Sequence, residues 1–158
     1  MNPTQHAAPQ PPAAAPAEQR PTIVVGVDGS GSSRQALLWA ARQAGLTGAR
    51  LRAVMSWHLP STAYMMPLPD GLDMQKATAE ELDRTLHETL GDNPGIPVTT
   101  VVVEGHPALV LLDAAKDADL LVVGSRGHGA FAGMLLGSVS EHCVTHAHCP
   151  VVVIRDGR

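Results

Sequence analysis

Leu120-Leu121-Val122-Val123-Gly124-Ser125-Arg126-Gly127-His128-Gly129-Ala130-Phe131-Ala132-Gly133-Met134-Leu135-Leu136-Gly137-Ser138-Val139-Ser140 passes from a short apolar run through a glycine-rich loop into a helical pattern. The β-branched run has the length and composition of a buried strand, and the segment from Ser138 to about His146 reads as a helix. Ser138 with Glu141 three residues on has the form of a capping box. Glycines allow positive φ and the close approach of a ligand to backbone N–H groups, and the first turn of a helix carries unpaired donors at the positive end of a dipole. A strand, a glycine loop and a helix N-terminus in that order suit a phosphate chain. The same residues also suit an ordinary βα loop in which Ser138 does no more than cap the helix.

The chain on either side repeats this strand-then-helix rhythm, which predicts α/β architecture around a parallel sheet. Thr22 to Asp28 is a first strand, apolar on both faces, as in a sheet covered by helices on each side. Ser32 or Ser33 then caps a helix with Leu37, Ala40, Ala41 and Ala44 on one face, and Gly45 supplies its stop. Ala49 to Trp57 is a second strand. Residues 58–71 hold Pro60, Pro67, Pro69 and Gly71 and read as a loop over a site. A helix from about Asp73 to Leu90 is marked by Leu82, Leu86 and Leu90, and Val98 to Glu104 is a third strand. Pro107 sits near the first turn of a helix with the apolar run Ala108 to Leu112. With Leu120 to Gly124 and Pro150 to Arg155, the count is five strands and four helices.

At 158 residues the chain has room for one domain and one core. Aromatics make up only 3%, so Val, Leu and Ala must fill the interior. Residues 1–21 hold six of the 13 prolines and only two formal charges, Glu18 and Arg20, and read as a disordered or polyproline-like tail ahead of a domain over 22–158. A net charge of −4 without a Lys/Arg run leaves no electrostatic footprint for nucleic acid. No apolar stretch approaches membrane-spanning length, and the two cysteines, Cys143 and Cys149, suggest no disulfide framework, so the expected location is the cytoplasm.

The spacing Gly124-x2-Gly127-x9-Gly137-Ser138, the start Val25-Gly26-Val27-Asp28-Gly29-Ser30, the run Asp117 to Gly127 and the ending Cys149-Pro150-Val151-Val152-Val153-Ile154 resemble the universal stress protein family in its ATP-binding subgroup. The resemblance spans Ile23 to Ile154. It implies a single-domain, Rossmann-like open parallel five-stranded sheet in strand order 3-2-1-4-5, with ATP, with or without Mg, across the C-terminal ends of strands one and four. In that order the two strands are neighbours whose connections leave in opposite directions, and such a switch point is where open α/β sheets bind ligands. Asp28 and Gly124 would face each other there.

Carried onto this chain, the resemblance assigns Val27 and Asp28 to the nucleoside end, with the Asp28 carboxylate accepting from ribose hydroxyls. Asp28 also suits a simple Asx turn with Gly29. Val54 would meet adenine through its backbone. Gly127, Gly137, Ser138, Val139 and Ser140 would hold the phosphates through N–H groups and two hydroxyls, with Arg126 supplying charge nearby and Gly124 counted among the cofactor-binding residues. The implied partners are an adenine nucleotide and a second copy of the chain, paired through the last strand, which the implied order leaves at an edge.

His142, Cys143, His146, His148 and Cys149 are a competing set of metal-ligand types, but Cys143 falls on a different helical face from part of the set, so no metal is assigned. His106 and His128 are given no chemistry. The expected role is a nucleotide-dependent stress-response or signalling module. A slow ATPase, a cyclic-AMP binder and an interaction scaffold are the alternatives. Against turnover, the loop lacks the Gly-Lys-Ser/Thr ending of P-loop enzymes and offers no evident residue to orient a water.

Overall fold

The computed structural model describes residues 20–58, 71–128 and 135–155, so the expectations for the proline-rich tail and for the loop over the site lie outside the described residues. The elements are β1 (Thr22–Gly26), α1 (Gly31–Thr47), β2 (Arg50–Trp57), α2 (Gly71–Leu90), β3 (Val98–Glu104), α3 (Pro107–Ala114), β4 (Leu120–Gly124), α4 (Ser138–His146) and β5 (Val151–Ile154). All strand pairs are parallel and the order is β3-β2-β1-β4-β5. This Rossmann-like order agrees with the one the sequence resemblance implies.

Alternation along the central strands builds two cores, one on each face of the sheet. Ile23, Val25, Leu51, Ala53, Met55 and Val122 pack on one face with Leu37, Ala40 and Ala44 of α1 and Leu82 of α2. Val24, Val54, Leu121 and Val123 pack on the other with Val110 and Leu111 of α3 and Cys143 of α4. Each fully buried Val or Leu contributes roughly 1.5–3 kcal/mol, which explains how a chain so poor in aromatics fills its interior. Val24, Val25, Leu37, Leu51, Leu82, Leu121 and Val122 are completely buried. Among the described residues no helix is long and apolar enough to cross a membrane.

Both ends of α1 differ from the expectation. Its N-cap is Ser30, whose side chain accepts from the Ser33 N–H, because Ser32 and Ser33 are already inside the helix and turned into the protein. The helix runs through Gly45 and stops at Gly48, whose φ of 69° places it in the left-handed region glycine tolerates. Its N–H returns to the Ala44 carbonyl.

Candidate functional site

β1 and β4 lie side by side, and the chain leaves them for opposite faces: α1 follows β1 on one side of the sheet and α4 follows β4 on the other. A cleft of about 520 Å³ opens where they diverge, at the C-terminal ends of the strands. Its floor is apolar, formed by Gly26, Val54, Val123 and the α3 residues Val110 and Leu111. Gly26 permits this floor, since a Cβ there would stand 2.8 Å from Leu111 Cδ1. The rim is polar.

Asp28 forms one side of that rim. Its Oδ1 accepts from the Ser30 N–H at 3.0 Å and from the Ser30 hydroxyl, so the Asx-turn alternative is realised, with Gly29 at a φ of 81°. The turn engages one carboxylate oxygen. Oδ2 is directed at Gly127, where a Cβ would come within 2.5 Å of it. Behind Asp28, its N–H donates to Ser33 Oγ at 3.3 Å, and the Val27 N–H donates to the Val54 carbonyl at 2.9 Å. Val54 therefore lines the cleft with one carbonyl lone pair already engaged by the neighbouring strand.

The glycine segment is closed at its base by Ser125. The buried Ser125 donates its N–H to the Ile154 carbonyl at 2.7 Å, and its own carbonyl accepts from the Gly137 N–H at 2.7 Å and the Ser140 hydroxyl at 3.0 Å. Residues 125 and 137, twelve apart in the sequence, are thereby clamped together. On the other flank, the Ser32 hydroxyl donates to the Arg126 carbonyl, bringing the start of α1 against the end of β4.

Three sequence expectations are corrected here. The glycines that line the cleft at 124, 127 and 137 are absent from the positive-φ set, and Gly137 has φ −77° and ψ 164°; close approach of Ser32 and Ser33 explains Gly124 and that of Asp28 explains Gly127, whereas a Cβ at Gly137 would meet nothing nearer than 3.5 Å. Gly124 is the tightest: a Cβ there would lie 2.8 Å from the Ser32 carbonyl carbon and 2.9 Å from the Ser33 nitrogen. Next, the N-cap of α4 is Gly137, whose carbonyl accepts the first helical bond from the Glu141 N–H at 2.9 Å, so Ser138 is the first helical residue and no capping box forms. Last, the Ser140 hydroxyl is buried and donates to the Gly137 and Ser125 carbonyls, which makes it a brace of the loop and not a rim donor.

The loss of the cap leaves the cleft better supplied with donors. The N–H groups of Ser138, Val139 and Ser140 belong to the first turn, where a helix has no internal acceptors, and no side chain bonds across the cap. All three residues line the cleft, so the positive end of α4 faces it. Arg126 is exposed on the rim, its backbone held by Ser32.

The sequence reading missed several cleft residues. Ser56 lines it because it lies two residues past Val54 on the same face of β2, a signal available from period-two patterning, and His58 lines it just beyond the strand's end. Pro107, Val110 and Leu111 line it because α3 crosses back over the sheet, which no local pattern reports. His128 also lines it, and its Nε2 lies 2.8 Å from the Asp28 carbonyl. Away from the cleft, the His142 and His146 rings stack with centroids 4.2 Å apart, Cys143 is buried in the core, and no group of three metal-ligand side chains gathers among the described residues.

The sequence model of the universal stress protein family matches residues 20–155. A universal stress protein of Mycobacterium tuberculosis is 40% identical over 144 residues, a match covering 89% of this chain and 47% of that protein. The chain thus spans about half the length of the curated relatives it matches. Among solved structures, the universal stress protein UspA from Lactobacillus plantarum is 28% identical with a TM-score of 0.71, covering 85% of this chain and 97% of that one. A universal stress protein solved in complex with cAMP is also 28% identical, with a TM-score of 0.65, and covers 85% of this chain and 96% of its own.

Proposed function

Since the chain belongs to the universal stress protein family, we propose that it is an adenine-nucleotide-binding module whose preferred ligand is ATP and whose occupancy serves a stress response or signal in the cytoplasm. One observation carries this reading. A single cleft joins an apolar floor, a carboxylate oxygen clear of its own turn, and the first-turn N–H groups of a helix. Those are the three needs of a nucleotide: a dry face for the base, an acceptor for ribose hydroxyls, and donors for phosphate.

The solved relative holding cAMP supports an adenine ligand. ATP is favoured over a cyclic monophosphate because the donors extend beyond one phosphate group: three N–H groups of α4 stand on one side and the Arg126 side chain on the rim. Each charge-assisted hydrogen bond contributes roughly 1.5–3 kcal/mol, so two further contacts separate the ligands by at least about a hundredfold in affinity. Mg would enter with the phosphates. The position of β5 at the edge of the sheet further supports pairing of two copies through that strand.

Mass analysis of the denatured, freshly purified protein reports which nucleotide copurifies, and calorimetry with ATP, ADP and cAMP ranks them. Asp28→Asn keeps an oxygen for the Ser30 turn but puts an amide in place of the free acceptor, and it should weaken ATP about tenfold. Equal affinity for all three nucleotides, or an Asp28→Asn variant that binds as well as the parent, contradicts the assignment. Release of phosphate at a steady rate would move the reading to the slow ATPase.

A further inference from the structure

His128 and Asp28 are 100 residues apart in the chain and meet across the mouth of the cleft. A backbone carbonyl only accepts, so the 2.8 Å contact requires a proton on Nε2, donated to the Asp28 oxygen. The adjoining residue tightens the same junction, because Gly127 lies so close to Asp28 Oδ2 that a Cβ would reach within 2.5 Å. His128 Nε2 also lies 3.6 Å from where a Cβ on Gly29 would stand, so the imidazole reaches Gly29 as well as the Asp28 carbonyl.

The two partners belong to different halves of the site. Asp28 follows β1 by two residues and carries the carboxylate, while His128 follows β4 in the segment whose base is clamped to Gly137 and the start of α4. Other hydrogen bonds between these halves run from the Ser30 and Ser32 hydroxyls to the Arg126 carbonyl, on the α1 side. His128 adds a tie beyond Gly127, nearer the open rim.

We propose that His128 is a positioning residue for the nucleotide. Its hydrogen bond to the Asp28 carbonyl latches the glycine-rich segment onto the end of β1, which sets the span between the ribose-facing carboxylate and the phosphate-facing turn of α4 before ligand arrives. The inference rests on the nucleotide reading for its effect on affinity, but the latch itself is a property of the ligand-free protein. A preformed span matters most for a ligand that bridges both halves, because the cost of ordering the loop is then met before binding. ATP bridges them; adenosine occupies one.

The test uses the full chain with His128→Ala and His128→Gln. A glutamine amide nitrogen sits the same number of bonds from the backbone as Nε2 and can donate to the same carbonyl, but it carries no charge. Amide hydrogen exchange of the ligand-free proteins over residues 26–30 and 124–128 should quicken in His128→Ala and return toward the parent in His128→Gln. Calorimetry should show ATP weakened about fivefold to tenfold in the alanine variant, adenosine little changed, and ATP binding largely restored by glutamine. A glutamine variant as weak as alanine, with exchange unchanged in both, would overturn the latch and leave His128 as a charge on the phosphates. A parent protein that binds neither ATP nor adenosine would instead sink the nucleotide reading, and the exchange measurement would still decide the latch.

Discussion

Gly124→Ala is the perturbation that tests most directly how the site is assembled. The added methyl would stand 2.8 Å from the Ser32 carbonyl carbon and 2.9 Å from the Ser33 nitrogen, and both are main-chain atoms in the first turn of α1. They cannot swing aside as the end of a side chain could. Either α1 shifts, which loosens the Ser32 bond to the Arg126 carbonyl and the Ser33 bond from the Asp28 N–H, or β4 shifts within the central sheet. Overpacking of this kind costs about 1–3 kcal/mol, while replacing glycine by alanine recovers about 0.4–1 kcal/mol through the unfolded chain. The net expectation is a loss of about 1–2 kcal/mol, or a Tm lower by roughly 2–8 °C for a chain of this size. Gly137→Ala is the control. Its Cβ would meet nothing nearer than Arg126 Cα at 3.5 Å, and its φ of −77° suits alanine, so Tm should hold or rise slightly. Thermal denaturation followed by far-UV circular dichroism reads both. If the two variants melt together, or if Gly124→Ala melts with the parent, the close approach of α1 to β4 is not what selects glycine at that position.

Burial pushes the Cys143 thiol up to about 11 from an ordinary 9.0, so its thiolate is suppressed in the folded protein. Native protein should therefore show slow labelling at Cys143 and faster labelling at the half-buried Cys149 with a thiol reagent at pH 8, and denaturant should abolish the difference; equal native rates would contradict it. Because the folded value lies above the unfolded one, this group's contribution is fully present below pH 9 and declines between pH 9 and 11, where a Cys143→Ala variant should show a shallower fall in a urea-denaturation series. At the sheet edge, the Pro150 and Ile154 carbonyls accept from β4, so the backbone of Val151 and Val153 faces outward. Val153→Pro removes an edge N–H without touching β4, and light scattering should find it monomeric where the parent is dimeric; a parent that is already monomeric at high micromolar concentration refutes the pairing. A chain beginning at Arg20 retains the Pro21 carbonyl that accepts from the Arg50 N–H and should melt with the full-length protein, whereas a clear drop in Tm would show that the removed segment docks.

The elements were legible because the signals that define them are local. Short, continuous β-branched runs and the Leu82-Leu86-Leu90 spacing report burial within a few residues of themselves, and Pro107 marks the start of α3 as a residue without an N–H should. The two ends of the glycine motif, Gly124 with Gly127 and Gly137 to Ser140, line the cleft, so a motif legible from contiguous residues pointed to its place. Helix ends were less well read: Ser30, Ser32 and Ser33 all have the chemistry of a cap, and which of them serves depends in part on Ser32 being drawn to the Arg126 carbonyl, 94 residues away. The reason for each site glycine was equally beyond the sequence. A glycine that escapes a clash and a glycine with positive φ look the same on the page, and only the packing of α1 on β4, and of Asp28 on Gly127, tells them apart. The sequence by itself determined the α/β class, the count of five strands and four helices, and a glycine loop suited to phosphate, because each follows from the order and periodicity of neighbouring residues. Tertiary structure alone decided that Val110 and Leu111 would floor the cleft, that the Ser140 hydroxyl would brace the loop, and that His128 would meet Asp28, because those contacts are made by strand order and crossover, which bring together residues the chain holds far apart.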